Sequence, residues 1–123
     1  MLLLTKAIRK KMEENHRRVW GGESFILTDV ADELSGNIEP VVKLFYPAGS
    51  ATYLLSEISG DIAFGLCDLG HGSPELGNVS MDELERFHGK FGLGFERDRW
   101  FRPTGKTMNE YAQESRAVGH IVA

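Results

Sequence analysis

Residues 41–79 have the sequence VVKLFYPAGSATYLLSEISGDIAFGLCDLGHGSPELGNV, and this stretch decides the fold. Short turn-forming segments separate runs that are rich in β-branched and aromatic residues, a pattern that predicts β-strands. Segments this short connect antiparallel strands, because parallel pairing needs a long crossover. We expect Ile62, Phe64 and Leu66 to fix the register by facing a core. The three predicted strands of this meander span residues 41–46, 51–58 and 62–67, and residues 75–79 fit a short fourth strand.

An amphipathic helix is predicted before the meander. Apolar residues recur at one-turn spacing between Lys and Arg residues over residues 5–17, and Thr5 is placed to cap the first turn. Trp20-Gly21-Gly22 breaks this pattern. Residues 23–37 are ambiguous, because they contain one run that fits a short strand and another that fits a single helical turn.

Two further helices and an extended segment are predicted after the meander. Ser80 and Glu83 stand at the spacing of a capping box, which predicts a helix over residues 81–88. Residues 91–101 are predicted to form an extended segment. A weaker helical pattern covers residues 107–117. Its residues expected to face inward are Met108, Tyr111 and Ala112.

Together these elements predict an α+β architecture in a single domain over residues 1–123. We expect a four- to five-stranded, mostly antiparallel sheet, with the helices that begin at Thr5 and Met81 covering one face. A length of 123 residues leaves no room for a second independent core. The predicted parts are an N-terminal helix at 1–18, a core at 40–101 and a C-terminal tail or helix at 104–123.

Composition is typical of a globular protein, since 41% of the residues are hydrophobic and 26% are charged. The single cysteine, Cys67, excludes an internal disulfide and a multi-cysteine metal site, which favours a reducing compartment. The apolar run Met1–Leu4 is too short for a secretory signal, and no stretch approaches the ~20 apolar residues of a membrane span. We therefore expect a cytoplasmic protein without membrane contact.

The net charge of −4 is unevenly distributed along the chain. Residues 1–22 carry six bases and two acids, residues 23–85 carry twelve acids and one base, and residues 86–123 carry seven bases and four acids. This pattern fits basic ends that pack over an acidic sheet, or two surfaces that face different partners. A dense acidic surface can also imitate nucleic acid toward a basic host protein.

A series of motifs occurs in order along the chain: Leu3-Leu4-Thr5-Lys6, Pro40–Phe45, Ala51–Leu55, Ile62–Gly70, Pro74–Gly77, Ser80–Glu85 and Phe91–Asp98. With these motifs the sequence resembles the bacterial family called domain of unknown function 2958. The resemblance covers residues 2–12 and 40–101, whereas residues 20–37 and the tail after Pro103 fall outside it. It implies an accessory protein of plasmids, phages and integrative elements, with no catalytic residue or cofactor to carry over.

The run from Glu96 to Arg102 is the densest candidate for a binding surface. Alternating charges beside two aromatic residues can clamp a phosphate, stack a base or anchor a protein partner. The alternative is an edge strand whose charges prevent unwanted pairing, with Trp100 or Phe101 packed inward. The candidate partner-binding residues are Glu96, Arg97, Asp98, Arg99, Trp100 and Arg102.

The basic N-terminal helix is a candidate nucleic-acid contact. Its bases are enough for a weak, salt-sensitive contact with phosphates, to which Arg97, Arg99 and Arg102 would add. No helix-turn-helix, zinc-finger or RNA-recognition signature accompanies them, and a solvated helix face is the commoner explanation. The helix residues concerned are Lys6, Arg9, Lys10 and Arg17, with Lys11 and Arg18 nearby.

The loop after the third predicted strand gathers the most enzyme-like residues. Asp68, His71 and Glu75, with Asp61 nearby, suit a divalent metal or acid–base work, and hence a metal-assisted hydrolase. Their spacing matches no metal signature, and a solvated hairpin end is the commoner explanation. Cys67 lies four residues before His71, but zinc needs three or four ligands and a nucleophilic cysteine needs a partnered base. No phosphate-binding loop, nucleophile elbow or dinucleotide motif is present.

The interpretation that fits best is a non-enzymatic protein-binding accessory of a mobile element, with anti-defence as one such role. We expect it to bind a host or mobile-element protein through residues 96–102 and the acidic edge of the sheet, without a cofactor. The alternatives are a weak nucleic-acid binder that uses the basic helix, and a metal-assisted hydrolase at the Asp68 loop. The sequence leaves the oligomeric state open.

Overall fold

The structure, a computed structural model, describes residues 2–20 and 35–123. The ambiguous run over 23–34 and the predicted break at Gly21-Gly22 lie outside these residues. None of the described helices is long and apolar enough to cross a membrane. In chain order the elements are α1 (Lys6–Trp20), β1 (Val42–Phe45), β2 (Thr52–Ser59), β3 (Ile62–Asp68), β4 (Glu75–Ser80), α2 (Met81–Arg86), a 3₁₀ turn (Lys90–Gly92), β5 (Glu96–Arg97) and α3 (Met108–Val118).

The strands form one antiparallel sheet in the order β4-β3-β2-β1-β5. β1 to β3 are the predicted meander and β4 is the predicted fourth strand, and each of these strands pairs with its neighbour in sequence. β5 returns to the free side of β1, where Arg97 lies opposite Leu44. The predicted α+β class and antiparallel sheet are therefore confirmed, with β4 and β5 as the two edges.

α1 and α2 cover one face of the sheet, as predicted. Thr5 Oγ1 accepts a hydrogen bond from the Ile8 N–H at 3.1 Å, which confirms Thr5 as the N-cap. α1 continues past the predicted end to Trp20. The buried apolar cluster under these helices contains Leu3, Leu4, Met12, Val42, Leu44, Tyr53, Leu55, Ile58, Ala63, Met81 and Leu84.

Polar contacts also attach α1 to β2. Asn15 Nδ2 donates to Ser56 O at 2.8 Å, and His16 Nδ1 lies 3.1 Å from Glu57 Oε1. The other carboxylate oxygen of Glu57 accepts a hydrogen bond from Ser35 Oγ at 2.7 Å. Glu57 is buried, so these contacts satisfy a carboxylate that would otherwise be costly to place in the interior.

α3 covers the opposite face, and its buried residues include the predicted ones, Met108, Tyr111 and Ala112. The prediction for β3 is wrong in part. Leu66 is fully buried under α3, but Phe64 is only half-buried and Ile62 is 47% exposed. Ala63, on the α1 face, is fully buried instead. On the α3 face the buried cluster includes Leu66 but neither Phe64 nor Ile62, so burial on that face decreases toward the start of β3.

α2 begins as predicted but ends early. Ser80 Oγ accepts a hydrogen bond from the Glu83 N–H at 3.2 Å, which confirms the serine half of the capping box. The carboxylate at this cap comes from Asp61 in the β2–β3 turn, which accepts from the Ser80 hydroxyl and from the Asp82 N–H. The helix ends at Arg86, because the next residue has an extended backbone.

The predicted extended segment over residues 91–101 is wrong over most of its length, since only Glu96–Arg97 forms a strand. Phe91 has a positive φ of 59° and turns the chain. The turn closes where the Gly89 N–H donates to Leu93 O at 2.8 Å. A tight turn therefore stands between α2 and β5.

Candidate functional site

Residues 96–102 lie at the β5 edge of the sheet and in the turn that follows it. Asp98 fixes this turn, because its N–H donates to Lys43 O at 2.9 Å and its Oδ1 accepts from the Trp100 N–H at 2.9 Å. Asp98 Oδ2 also lies 3.7 Å from Lys43 Nζ. Asp98 is therefore a support for the turn.

The two aromatic residues of this run differ in their surroundings. Phe101 is half-buried and packs against the apolar cluster under α3. Trp100 is 89% exposed, so its indole extends into solvent from a turn whose backbone is hydrogen-bonded. Phe101 therefore packs inward, as the alternative of a protected edge strand predicts for one of the two aromatic residues, whereas Trp100 is exposed.

The charged residues of the run have different roles. Arg97 Nη1 donates to Leu3 O at 2.6 Å and ties β5 to the residues before α1. Arg102 Nη1 donates to two backbone carbonyls of its own turn. Glu96 and Arg99 are exposed. Glu96 and Arg99 are therefore the charges best placed to meet a partner, whereas Arg97 supports the edge.

A groove with a volume of about 400 Å³ lies beside Trp100. One wall comes from the residues before α1 and the other from β5 and its neighbours, and the Arg97–Leu3 hydrogen bond joins the two walls. A second bond, from the Leu3 N–H to Glu85 Oε2 at 2.9 Å, attaches the N-terminal wall to α2. The apolar lining residues are Leu2, Leu3, Phe45, Phe95 and Trp100.

Four aromatic rings pack next to this groove. The Phe95 ring centroid lies 5.6 Å from those of Tyr46, Tyr53 and Phe87. The Tyr46 hydroxyl is buried, and nothing in the described part of the chain hydrogen-bonds to it. A Cβ on Gly89 would lie 2.2 Å from that hydroxyl, so glycine at this position lets the turn after α2 pack onto the rings.

Apolar residues outside the predicted run extend the exposed surface. Phe91 is 92% exposed in the turn after α2, Leu2 is 74% exposed beside the groove, and Phe87 and Leu93 are also exposed. Phe95 links the two parts, because it lines the groove and packs against Phe87. A bulky residue with positive φ, such as Phe91, is uncommon, and strained positions concentrate at functional sites. We name Leu2, Phe87, Phe91, Leu93, Arg99 and Trp100 together the Trp100 surface.

The sequence model of the family DUF2958, described as "Protein of unknown function", matches residues 3–122. The chain belongs to the DUF2958 family. Because the match is nearly full length, the expectation that residues 20–37 and the tail after Pro103 fall outside the family pattern is wrong. No curated protein and no solved structure matches this chain. The DUF2958 match confirms the resemblance and brings no activity with it.

The structure does not assemble the metal site considered for this DUF2958 protein. Asp68 is buried, and its two oxygens accept hydrogen bonds from the backbone N–H groups of Gly70 at 2.8 Å and Ile121 at 3.0 Å. His71 and Glu75 are exposed. Within residues 2–20 and 35–123, no group of three His, Cys, Asp or Glu side chains could hold a metal ion. Asp68 instead joins the β3–β4 loop to the tail after α3.

Asp61 and Cys67 are engaged elsewhere. Asp61 caps α2 at the opposite end of β3 from Asp68. Burial raises the pKa of the Cys67 thiol to about 11, so this thiol is protonated at neutral pH. An activated cysteine nucleophile has the opposite property, a lowered pKa. Neither residue therefore supports an enzyme site at this loop.

Some basic residues of α1 form hydrogen bonds within the molecule. Arg9 Nη1 donates to Gly60 O at 3.0 Å in the β2–β3 turn, and Arg18 Nη1 donates to Asn15 Oδ1 at 3.3 Å. A solvated helix face is the simpler explanation of the remaining charges. The exposed bases of the helix are Lys6, Lys10, Lys11, Arg17 and Arg18.

The acidic middle of the chain is only partly available as a surface. Glu57 and Asp68 are buried, and Asp61 is hydrogen-bonded at the α2 cap. Imitation of nucleic acid by this segment stays a prediction. Four of its twelve acids lie outside the described residues: Glu23, Asp29, Asp32 and Glu33.

Proposed function

We propose that this DUF2958 protein is a non-enzymatic protein-binding accessory of plasmid- or phage-type mobile elements, and that it contacts its partner through the Trp100 surface. The observation that carries the proposal is Trp100 itself, which is 89% exposed although hydrogen bonds fix the turn beneath it. Trp and Arg are enriched among the residues that dominate binding energy at protein interfaces.

The groove beside Trp100 favours a partner that inserts an apolar side chain. Leu2, Phe45 and Phe95 line the groove together with Trp100, while Glu96 and Arg99 add charge around it. An apolar centre within a charged rim is the usual anatomy of a protein interface. A partner with an apolar anchor and flanking charges would match this arrangement.

The biological setting of the proposal comes from the family resemblance. Accessory proteins of plasmids and phages act on host or element proteins, and anti-defence is one such role. The acidic stretch over residues 23–85 would steer a basic partner toward the molecule through long-range attraction. The partner is therefore a host or mobile-element protein.

Affinity capture from nuclease-treated bacterial lysate tests the proposal. Trp100→Ala removes the exposed indole, and Arg99→Glu reverses the neighbouring charge, while the hydrogen bonds that fix the turn use backbone atoms and Asp98. Leu69→Ala is the matched control, because Leu69 is 56% exposed in the β3–β4 loop, outside the Trp100 surface. We expect wild type and control to capture a stoichiometric protein, and Trp100→Ala to weaken capture about thirty-fold, as loss of a dominant interface residue does.

Unchanged capture by both Trp100→Ala and Arg99→Glu would remove the Trp100 surface from consideration. Binding to nucleic acid that falls steeply with added salt would instead support the basic helix as a phosphate contact. Arg97→Glu is a poor test, because it also breaks the hydrogen bond from Arg97 to Leu3 O.

A further inference from the structure

β4 forms the edge of the sheet opposite β5 and the Trp100 surface. Its six residues, Glu75–Ser80, pair with β3 over consecutive positions without a register shift. Within residues 2–20 and 35–123, no strand pairs with the outer side of β4. An edge of this length presents a row of backbone N–H and C=O groups that act as a template for a further strand.

The two edges of the sheet differ in how they are protected. β5 has only two residues, both charged, and the charged Asp98 and Arg99 follow. β4 lacks the features that usually block edge pairing, since it contains no Lys, Arg or Pro and its ladder has no bulge. Its one charged residue, Glu75, is the first of the strand. Among the residues that the structure describes, β4 is therefore the edge that is open to pairing.

The register of the β3–β4 pair determines which backbone groups point outward. The Met81 N–H donates to Asp61 O at 2.9 Å and continues the antiparallel register of the two strands. In an antiparallel ladder, residues that bond to the neighbouring strand alternate with residues that point away from it. The N–H and C=O groups of Leu76 and Asn78 and the N–H of Ser80 therefore face away from β3, whereas the C=O of Ser80, the N-cap of α2, belongs to the first turn of that helix.

We propose that β4 pairs with β4 of a second copy of this chain, antiparallel and with Asn78 on the two-fold axis. When the two-fold axis is perpendicular to the sheet, each face of one sheet continues into the same face of its copy. Residues that lie opposite each other across the interface must therefore point to the same face. Centring the pair on Asn78 places Asn78 opposite Asn78 and Leu76 opposite Ser80. The N–H and C=O of Asn78 then bond to those of the partner's Asn78, and the Ser80 N–H can donate to the partner's Leu76 C=O.

The side chains of β4 fit this register. The exposed Asn78 amides meet at the axis, where each can donate to the other. Gly77 faces the partner's Val79, and no atom lies within 4 Å of the position that a Cβ on Gly77 would take, so there is space for the valine. Glu75 lies at the end of the paired stretch, where the partner's chain enters α2 at Met81, so no like charge lies directly opposite it.

The dimer joins two sheets into one and leaves a β5 edge at each end. A dimer built this way presents two Trp100 surfaces on opposite sides and would be bivalent toward any partner bound there. The pairing of β4 does not depend on the function proposed for the Trp100 surface, because the two features occupy different edges of the sheet.

Sedimentation velocity of the wild-type chain is the first test. We expect a monomer–dimer equilibrium between about 10 µM and 500 µM, as suits a small interface. Asn78→Lys places two like charges directly across the axis and should weaken the dimer at least about ten-fold, and Asn78→Asp should do the same with the opposite charge. Glu96→Lys, an exposed charge change on the other edge, is the matched control and should leave the dimer unchanged.

An equimolar mixture of the Asn78→Lys and Asn78→Asp variants separates the proposal from a general loss of folding. In a mixed dimer the two introduced charges are opposite in sign, so we expect dimerisation to return. A wild-type chain that stays monomeric over the whole range overturns the proposal, as does an Asn78→Lys variant that dimerises like wild type or a mixture that stays monomeric. Capture of a partner by the Asn78→Lys monomer tests the Trp100 surface separately, so the two proposals can fail independently.

Discussion

Asp61 connects two parts of the molecule through one carboxylate. It lies in the β2–β3 turn and accepts hydrogen bonds from the Ser80 hydroxyl and the Asp82 N–H at the start of α2. These bonds favour the charged form and hold the pKa of Asp61 below its ordinary value of 3.8, with Ser80 contributing most. The nearby Arg9 and Arg86 lower the pKa of Asp61 further.

Asp61→Asn is expected to destabilise the protein at pH 7 and to matter less in acid. A carboxylate with a lowered pKa contributes stability that is complete above its ordinary value of 3.8 and is lost as the pH falls through the lower folded value. Urea unfolding of variant and wild type along a pH series measures this difference. Asp82→Asn is the control, because the Asp82 carboxylate is exposed in the first turn of α2 and pairs with Arg86, so its loss should have a smaller effect. A deficit that stays constant down to the lowest pH would contradict the role of the charge.

Trp100 and Phe91 differ in how far the sequence reveals them. Trp100 stands among charged residues, which favour the protein surface, so the sequence alone suggests that it is exposed. Phe91 stands in a run that resembles a strand, and its exposure depends on a turn in which Gly89 packs against the Tyr46 hydroxyl. Asp68 is a residue that the sequence suggests wrongly, because a carboxylate close to a histidine in sequence resembles a metal or catalytic site. In the structure its partners are backbone amides, and one of them lies 53 positions away.

At the level of elements, Gly65 of β3 and Gly77 of β4 lie opposite each other but have different surroundings. A Cβ on Gly65 would lie 1.9 Å from Leu54 O in β2, next to the register shift between Leu55 and Glu57. A Cβ on Gly77 would have no atom within 4 Å. The close approach of β2 therefore requires a glycine in β3, whereas β4 has no such requirement.

Gly65→Ala is expected to destabilise the protein by about 2 kcal/mol or more, because the added methyl forces the backbones of β2 and β3 apart. Gly77→Ala should change the stability by less than about 0.5 kcal/mol, since it adds a methyl in open space. Urea unfolding in dilute solution compares the two variants directly. Similar losses in both would show that the contact with Leu54 O does not determine the choice of glycine.

The elements that the sequence predicts best are those whose apolar residues recur at one regular spacing along the chain. α1 and α3 repeat their apolar residues once per helical turn, and β1 and β2 form short β-branched and aromatic runs between turns. The end of α2 and the segment over residues 91–101 are decided instead by packing among Tyr46, Phe87 and Phe95, which are far apart in sequence. Local patterns carry no information about such contacts.

On the scale of the whole molecule, the residues before α1 connect distant parts of the chain. The Leu3 N–H donates to Glu85 near the end of α2, and Leu3 O accepts from Arg97 in β5. Leu3 and Leu4 are buried in the core, whereas Leu2 is 74% exposed beside the groove. In this short segment Leu3 and Leu4 therefore stabilise the core, and Leu2 contributes to the Trp100 surface.

Leu4→Ala should lower the free energy of unfolding by about 2–4 kcal/mol, the usual cost of truncating a buried leucine. Leu2→Ala should change it by less than about 0.5 kcal/mol and should instead weaken partner capture, because Leu2 lines the groove. Urea unfolding and the capture assay, applied to both variants, separate the two roles. Loss of stability in Leu2→Ala, or normal stability in Leu4→Ala, would contradict this division.

The sequence also predicts that the sheet is antiparallel more readily than it predicts which strands form its edges. Short connections order β1 to β4 as a meander, but the place of β5 beside β1 depends on Asp98, whose N–H donates to Lys43 O at 2.9 Å. Arg97 adds the bond to Leu3 O that closes the groove. Both contacts join residues from separate segments, so the groove could not be predicted before the fold was known.

The attachment of Leu3 also sets an order for events on the ribosome. Its two hydrogen-bond partners follow it by 82 and 94 positions. Translation adds roughly 5–20 residues per second, so the first residues wait on the order of ten seconds before Arg97 is even synthesised. Throughout that time these two hydrogen bonds cannot both form, so the attachment of Leu3 is completed only after α2 and β5 have been synthesised.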